Sequence, residues 1–216
     1  MRAVVYGSRS DGHAGVVVEL FGADSGLELV GLLDDRPENR GNRVAGLEVI
    51  GDRGALGRLV GEGVEAVVLG FGVARGRAKV VEAVEAAGLA LPVLIHPSAH
   101  VTASATLAAG CQVLPNATVG AGASLGRGVL INSGAIVEHD ARLADAVVID
   151  PGAVLAGRVT VECESEVGSG AVIRPDVCVG GGAVVGAGAA VVSDVAAGST
   201  VVGVPARPLR RAQPAG

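Results

Sequence analysis

The 216-residue sequence predicts a mainly β fold, in which a small α/β domain of the Rossmann type precedes a parallel β-helix. Over residues 95–191 an aliphatic residue recurs at every sixth position without interruption, and a small or β-branched residue stands four positions after each one. A helix or an amphipathic strand does not produce a period of six, whereas a chain that turns a corner after every hexad does. The chain is also half apolar with one Tyr, two Phe and no Trp, which suits an interior too narrow for aromatic rings.

Three hexads make one triangular coil, and stacked coils bury a continuous ladder of aliphatic side chains that no single repeat could bury alone. The 35 glycines fit corners that need open backbone angles. We therefore assign residues 95–207 to the β-helix and residues 208–216 to a tail.

Residues 1–94 read as alternating strands and helices, which predicts a small parallel sheet with helices on its faces. The predicted strands cover residues 3–6, 29–33, 66–69 and 91–95, and the predicted helices cover residues 14–21, a short segment capped by Asp52 that runs to Val60, and residues 74–87 with Gly88 as the C-cap. Because no flexible linker separates the two parts, we expect this domain to rest on the first coil and cover its open strand edge.

Ligands of such sheets bind beyond the carboxyl ends of the strands. The residues predicted there are Asp11, Gly12 and His13 in the loop 7–13, Asp34 and Asp35 after the second strand, and Gly70 after the third. The glycines do not match the dinucleotide fingerprint, although the acidic pair would suit a ribose or an amino group. The alternative is that the glycines only shape a turn and that the acidic pair begins a solvated loop.

The charge and the cysteines exclude several classes of function. A net charge of −5 and a pI near 5.4 argue against a nucleic-acid partner. No apolar run is long enough for a membrane span and no secretory signal opens the chain, so we expect no membrane partner and a cytoplasmic location. Cys111, Cys163 and Cys178 lack metal-ligand spacing and are expected to be free thiols, with Cys111 in a packing role.

His139 is the candidate catalytic residue. It stands two positions after the inward-facing Val137, at an outward corner, where a neutral imidazole could take a proton from an attacking amine or hydroxyl. Glu138 or Asp140 could orient it, although a surface histidine between two acids is also typical of a solvated corner. One coil later Gly157 lies beside it, and its N–H could stabilise an oxyanion. No metal is expected, because a β-helix zinc site needs three histidines and only His139 follows residue 100.

The order of the two domains, the string NSGAIVEHD at residues 132–140 and the closing GVPAR at residues 203–207 resemble the hexapeptide-repeat sugar N- and O-acetyltransferases. That family includes the bacillosamine and perosamine N-acetyltransferases and the sialic acid O-acetyltransferases. The resemblance implies a left-handed helix, a trimer with sites between adjacent β-helices, His139 as general base and Asp140 as the acid that raises its basicity. The implied acetyl-CoA contacts are Val148, Gly157, Ser169, Ala187 and Arg207. The implied contacts to a nucleotide-sugar substrate are Asp11, Gly12, His13, Asp34, Asp35, Gly70 and Asn132.

The chain departs from the family pattern at two places. Val148 replaces a histidine that usually contacts acetyl-CoA, and the loop 7–13 is about two residues longer than usual. The expected function is acetyl-CoA-dependent N-acetylation of the amino group of a nucleotide-linked sugar. Sugar O-acetylation and a non-catalytic, sugar-nucleotide-binding β-helix are the alternatives, and an oxidoreductase is disfavoured by the missing fingerprint.

Overall fold

A computed structural model describes residues 1–8, 12–22 and 26–209 of the chain. An amino-terminal α/β domain is followed by a left-handed parallel β-helix, which confirms the predicted fold class. None of the helices in the described part of the chain is long and apolar enough to cross a membrane.

The α/β domain contains one five-stranded sheet with helices packed against it. Its strands are β1 (Arg2–Tyr6), β2 (Glu28–Leu33), β3 (Arg43–Val44), β4 (Leu47–Gly51) and β5 (Ala66–Leu69), and its helices are α1 (His13–Phe21), α2 (Leu56–Gly61) and α3 (Arg77–Ala86), with 3₁₀ turns at Pro37–Asn39 and Arg53–Ala55. The strand order is β3-β4-β2-β1-β5, and all pairs are parallel except β3 with β4. Tyr6 and Leu33 therefore end neighbouring strands at the same edge of the sheet.

The sequence predicted β1, β2 and β5 to within one residue at each end, but it missed the β3–β4 hairpin. β3 has only two residues and begins with Arg43, and Glu48 interrupts the apolar residues of β4, so neither strand has the apolar run that marked the others. Asp52 does act as a cap, since its side chain accepts a hydrogen bond from Gly54 N, but it caps the 3₁₀ turn ahead of α2. The strand predicted over residues 91–95 was assigned to the wrong sheet. Its last two residues, Leu94 and Ile95, form the first strand of the β-helix and pair with Gln112 and Val113.

The β-helix is built from two-residue strands that stack with a spacing of 18 residues into three parallel sheets. The strands are β6 (Leu94–Ile95), β7 (His100–Val101), β8 (Thr106–Leu107), β9 (Gln112–Val113), β10 (Thr118–Val119), β11 (Ser124–Leu125), β12 (Leu130–Ile131), β13 (Ile136–Val137), β14 (Arg142–Leu143), β15 (Val148–Ile149), β16 (Val154–Leu155), β17 (Thr160–Val161), β18 (Glu166–Val167), β19 (Val172–Ile173), β20 (Cys178–Val179), β21 (Val184–Val185) and β22 (Ala190–Val191), followed by β23 (Thr200–Val202) and β24 (Arg207–Pro208). The antiparallel pair β23–β24 ends the β-helix. Because Pro208 belongs to β24, the tail does not begin at residue 208 as predicted, but after it.

The interior of the β-helix is the predicted aliphatic ladder. From Val113 to Val191 every sixth residue is at most 3% exposed, and the small residues beside them, including Cys111, are equally buried. The ladder opens to solvent at its amino-terminal end, where Ile95 is 45% exposed and Val101 is partly exposed. The expectation that the α/β domain covers the open strand edge is therefore wrong. The domain does rest on the first coil, since Gln112 at the end of that coil donates to Leu69 O at 2.9 Å and accepts from Arg77 at 2.6 Å.

The α/β domain instead packs against one side face of the β-helix. Leu114, Leu130 and Val148 are completely buried in one apolar cluster with Ala14 and Val17 of α1. Polar contacts join the same two parts, since Gly76 N donates to Glu164 Oε1 at 2.8 Å and Ala74 N to Glu166 Oε2 at 3.5 Å. The loop between β5 and α3 is thus held on the β-helix.

Candidate active site

His139 and Asp140 form a hydrogen-bonded pair at an outward corner of the β-helix. His139 Nδ1 lies 2.8 Å from Asp140 Oδ2, and both side chains are about half exposed or more. Asp140 reaches this position in a left-handed backbone conformation with φ +57°. Because a carboxylate accepts the Nδ1 proton, the neutral imidazole keeps its lone pair on Nε2. The pair therefore presents a proton acceptor to solvent.

The structure decides between the two acidic neighbours of His139. Glu138 accepts from the backbone N of His139, at 3.4 Å, whereas Asp140 contacts the ring itself. One coil later Arg158 donates to both carboxylate oxygens of Asp176, at 2.6 and 2.8 Å. The hydrogen bond and charge of Arg158 lower the pKa of Asp176.

Gly157 lies directly against the imidazole, as the 18-residue register predicted. A Cβ on Gly157 would stand 2.6 Å from His139 Cε1 and closer still to Nε2. The absence of a side chain is therefore needed to admit the imidazole ring, a reason that the sequence interpretation had not included. Within the described part of the chain, the Gly157 N–H donates to no protein acceptor, which leaves it available to a ligand.

A cavity of about 970 Å³ lies between the α/β domain and the β-helix. Its described lining is Tyr6, Gly7, Ser8, Gly12, His13, Val16, Asp34, Asp35, Arg36, Arg53, Gly70, Phe71, Gly72, Val73, Arg75, Gly76, Lys79, Val80, Asn132 and Ser133. Every predicted substrate residue is among them except Asp11, which lies outside the described residues. The structure thus brings together Gly12, His13, Asp34, Asp35, Gly70 and Asn132 from four separate segments of the chain.

The two predicted aspartates have different partners. Asp34 accepts hydrogen bonds from Ser8 Oγ at 2.6 Å, Arg36 N at 2.9 Å and Ser8 N at 3.1 Å. Burial alone would raise its pKa, but these hydrogen bonds outweigh burial and lower it. Asp35 is paired with Arg53 through the backbone N at 3.0 Å and the guanidinium at 3.3 Å, and its side chain is 43% exposed. Asp34 therefore shapes the loop, while Asp35 keeps carboxylate surface facing the cavity.

His13 is the first residue of α1 and is largely buried. Burial, followed by the charge of Arg77, lowers its pKa to about 4, so its imidazole is neutral near pH 7. No described residue makes a hydrogen bond to its buried Nε2. The N-cap of α1 is Gly12, which has no side chain to accept from the first-turn N–H groups, and Gly12, His13 and Val16 place this turn at the cavity.

Gly70 lines the cavity for a packing reason. A Cβ there would overlap Val5 and lie 3.1 Å from the carbonyl oxygen of Tyr6. The strand ends of β1 and β5 can approach each other only because residue 70 has no side chain.

The predicted acetyl-CoA residues are not gathered in one place. Ser169 and Ala187 are exposed and stack, at the 18-residue spacing, in the column of Ser133 at the cavity mouth, whereas Gly157 stacks on His139 at the next corner of the triangle. Arg207 is exposed in β24. The structure does not bring Val148 to any of these positions, because its side chain is 0% exposed beneath the α/β domain and has no surface to offer a ligand.

Sequence reasoning did not single out several of the cavity residues, among them Tyr6, Arg53, Arg75 and Lys79. A signal existed for two of them, since Tyr6 is the only tyrosine and Lys79 the only lysine of the chain. Arg53 and Arg75 are two of sixteen arginines and carried no signal of their own.

The fold and this corner define the class of hexapeptide-repeat acyltransferases, and solved structures agree. The acetyltransferase domain of PglB from Neisseria gonorrhoeae in complex with acetyl coenzyme A is 41% identical, with 96% of this chain and 98% of that chain covered and a TM-score of 0.87. A mutant of perosamine N-acetyltransferase from Caulobacter crescentus in complex with CoA and GDP-perosamine is 34% identical, with 98% of each chain covered and a TM-score of 0.90. WeeI from Acinetobacter baumannii is 26% identical, with 97% and 100% covered and a TM-score of 0.82.

The chain belongs to the sugar N-acetyltransferases of the hexapeptide-repeat family. The predicted family and enzyme class are thereby confirmed. No family profile and no curated protein matched the sequence. Within the described residues, no group of three or more His, Cys, Asp or Glu side chains is placed to hold a metal ion.

Proposed function

We propose that this protein transfers an acetyl group from acetyl-CoA to the amino group of a nucleotide-linked sugar. The observation that carries the proposal is the His139–Asp140 pair, whose 2.8 Å contact at Nδ1 leaves Nε2 as the proton acceptor of a half-exposed ring. The two similar structures that hold CoA or acetyl-CoA, one of them with GDP-perosamine, support this substrate class.

In the proposed reaction the amine nitrogen attacks the thioester carbonyl carbon. His139 Nε2 accepts the proton that the nitrogen loses, and Asp140 stabilises the resulting imidazolium. The carbonyl oxygen becomes an oxyanion, for which the unpartnered N–H of Gly157 is a candidate donor. When the intermediate collapses, the C–S bond breaks, and the imidazolium returns the proton to the CoA thiolate.

The charge of the cavity supports an anionic substrate. Four cationic side chains, Arg36, Arg53, Arg75 and Lys79, line it against the two aspartates, in a chain whose net charge is −5. The amino terminus of α1, whose N-cap Gly12 has no capping side chain, adds further N–H donors to the same cavity. This combination fits the diphosphate of a nucleotide sugar, with Gly12, His13, Asp35 and Asn132 as contacts.

We further propose a homotrimer in which a site is shared by two chains. The cavity mouth at Ser133 and the imidazole of His139 lie at neighbouring corners of one coil, separated by a hexad whose chain could span at most about 20 Å. A second copy of the chain that placed its own His139 at the cavity mouth would close this gap. Ser169, Ala187 and Arg207 lie on exposed surface, where a coenzyme could bind between the two copies. Three free thiols also suit a reducing, cytoplasmic location.

The proposed function is tested by following CoA thiol release from acetyl-CoA with a panel of nucleotide-linked amino and hydroxy sugars. We expect turnover with an amino sugar, and we expect His139→Ala to lower kcat by about 10²–10⁴-fold with an unchanged melting temperature. Asp140→Asn should lower kcat less, because the ring remains.

Three results would contradict parts of this proposal. Turnover with hydroxy sugars alone would replace N-acetylation by O-acetylation. An unchanged kcat in His139→Ala would remove this residue from the mechanism. Absence of acetyl-CoA binding in calorimetry would favour a non-catalytic, sugar-nucleotide-binding protein.

A further inference from the structure

The β-helix carries one half-buried carboxyl group, that of Asp150, which the fold itself does not use. Asp150 follows the inward-facing Ile149 of β15, and no described residue forms a hydrogen bond or an ion pair with its side chain. Its charged neighbour is a second carboxylate, Glu166, which the fold does use, because Glu166 accepts from Ala74 N in the loop after β5. Burial, followed by the charge of Glu166, raises the pKa of Asp150 to about 6, so its carboxyl group is mainly ionised near pH 7.

The register of the coils places Asp150 beside the cavity. Strand β15 pairs with β12 so that Ile149 lies opposite Ile131, and the residues that follow them, Asp150 and Asn132, therefore stack in one outward column. Neighbouring strands are about 4.8 Å apart. Because Asn132 and Ser133 line the cavity, Asp150 continues the same wall by one coil.

The lack of a partner for Asp150 points to a ligand that donates hydrogen bonds. An ionised, half-buried carboxylate beside a second carboxylate costs free energy that a serine or an asparagine would avoid. A donor group of a bound ligand would offset this cost. In the proposed function the reacting group of the sugar reaches the cavity mouth at Ser133, where a second copy of the chain would bring its His139.

The number of hydrogens on the reacting group separates an amine from a hydroxyl. A neutral amine has two N–H groups besides the lone pair that attacks the thioester, whereas a hydroxyl has a single O–H. In the proposed reaction His139 Nε2 takes one of these hydrogens. An amine keeps a second N–H for Asp150, but a hydroxyl has none left and leaves the carboxylate unpaired. A site that loses a hydrogen bond in this way discriminates strongly against the poorer donor.

We propose that Asp150 is a specificity-determining residue that selects an amino sugar over a hydroxy sugar, because its carboxylate accepts the second N–H of the acceptor nitrogen. The inference deepens the proposed function and rests on it, since it assumes that the cavity takes a nucleotide sugar and that a second copy supplies His139 at the cavity mouth.

The test compares Asp150→Asn with the wild type. The probes are the nucleotide-linked amino sugar that binds best in the panel, its counterpart with a hydroxyl group in place of the amino group, and the nucleoside diphosphate alone. We expect the variant to lose about tenfold or more in affinity and in kcat/KM for the amino sugar, because a charge-assisted hydrogen bond is weakened. Calorimetry should show unchanged affinity for the other two compounds. The melting temperature without ligand should stay equal or rise, because a charge beside Glu166 is removed.

Glu162→Gln is the matched control. Glu162 occupies the same position after an inward-facing residue as Asp150 does, but it is exposed and follows β17, on a sheet away from the cavity. Its carboxylate accepts from Gly181 N at 2.8 Å. We expect this variant to bind and turn over the amino sugar as the wild type does.

An unchanged preference of Asp150→Asn for the amino sugar would overturn the inference and leave the proposed function standing. Equal losses for all three compounds, together with a lower melting temperature, would do the same, because they would show a structural role of Asp150. If the wild type neither binds nor acetylates any amino sugar of the panel, both the proposed function and the inference are wrong.

Discussion

The imidazole of His139 depends on a missing side chain one coil away. A Cβ at Gly157 would stand 2.6 Å from Cε1 of the ring, so Gly157→Ala must displace the imidazole from Asp140. We expect kcat to fall by about 10²-fold or more, since a misplaced base loses most of its effect. The melting temperature should change little, because the ring is half exposed and can turn towards solvent.

Gly181 offers a matched control for this variant in steady-state kinetics. It occupies the same position after its inward residue as Gly157 does, and its added Cβ would meet Cys163 at an ordinary 3.5 Å from the carbonyl oxygen. Gly181→Ala should keep full activity. An equal loss of kcat in Gly157→Ala and Gly181→Ala would indicate that an added methyl group disturbs any corner of the β-helix, and would contradict a specific effect on His139.

The buried His13 should make the protein less stable in mild acid. The unfolded chain binds a proton below about its ordinary pKa of 6.5, but the folded chain binds it only below about 4. Stability from this group is therefore complete above pH 6.5 and is lost as the pH falls from 6.5 to 4. The loss is about 2 kcal/mol by about pH 5.

Urea unfolding near pH 7.5 and near pH 5, at one protein concentration, measures this loss. His13→Asn lacks the titrating ring and should show a smaller difference between the two pH values. The carboxylates with lowered pKa, Asp34, Asp145 and Asp176, titrate below their ordinary 3.8 and contribute at lower pH. Burial and the charge of Glu166 raise the pKa of Asp150 to about 6, so this group adds stability as the pH falls below 6 and offsets part of the His13 loss. A wild-type difference that persists in His13→Asn would assign the acid sensitivity to other groups.

At the scale of elements, α3 and the loop before it are fixed by one completely buried arginine. Arg77 donates to the carbonyl of Phe71, to Gly128 O at 2.5 Å and to Gln112 Oε1 at 2.6 Å, so it joins the cavity loop to two coils of the β-helix. Burial lowers its pKa to about 9, and no described carboxylate forms an ion pair with it. The backbone and amide oxygens solvate this cation instead.

Arg77→Met should lower the free energy of unfolding by about 3–5 kcal/mol, because three buried acceptors lose their donor. It should also weaken nucleotide binding, since Phe71 loses its anchor. Arg75→Met is the control, because Arg75 lines the same cavity but is exposed. Chemical denaturation should show that Arg75→Met keeps the stability of the wild type. Calorimetry should show that Arg75→Met binds nucleotide more weakly than the wild type does. Equal stability of the two variants would contradict the anchoring role.

At the scale of the whole molecule, the cavity and His139 should act together across two chains. The test co-expresses two variants: His139→Ala, and a double cavity variant that carries both Asp35→Ala and Lys79→Ala. Each variant is expected to be inactive when it is expressed alone. If each site takes its cavity from one chain and its imidazole from the next, random 1:1 trimers should regain about one quarter of the wild-type activity. No recovery in mixed assemblies, confirmed by two affinity tags, would place the complete site within one chain.

The sequence by itself determined the β-helix, because a period of six over seventeen aliphatic positions has no other regular structure that satisfies it. It also determined the contact between Gly157 and His139, since residues 18 apart stack in register. The family resemblance named Asp140 rather than Glu138, but the local residues could not, because the choice depends on a left-handed corner that turns one carboxylate towards the ring.

Only the tertiary structure decided what the α/β domain covers. Leu130 and Val148 occupy outward positions of the hexad, and many residues at the equivalent position of other hexads are exposed. Local periodicity therefore does not show which face of a solenoid a second domain will bury. Tyr6, Arg53 and Lys79 likewise meet in one cavity although long stretches of sequence separate them. The repeat sets its own geometry through contacts between neighbouring coils, whereas the cavity forms through packing of distant segments, which has no local signature.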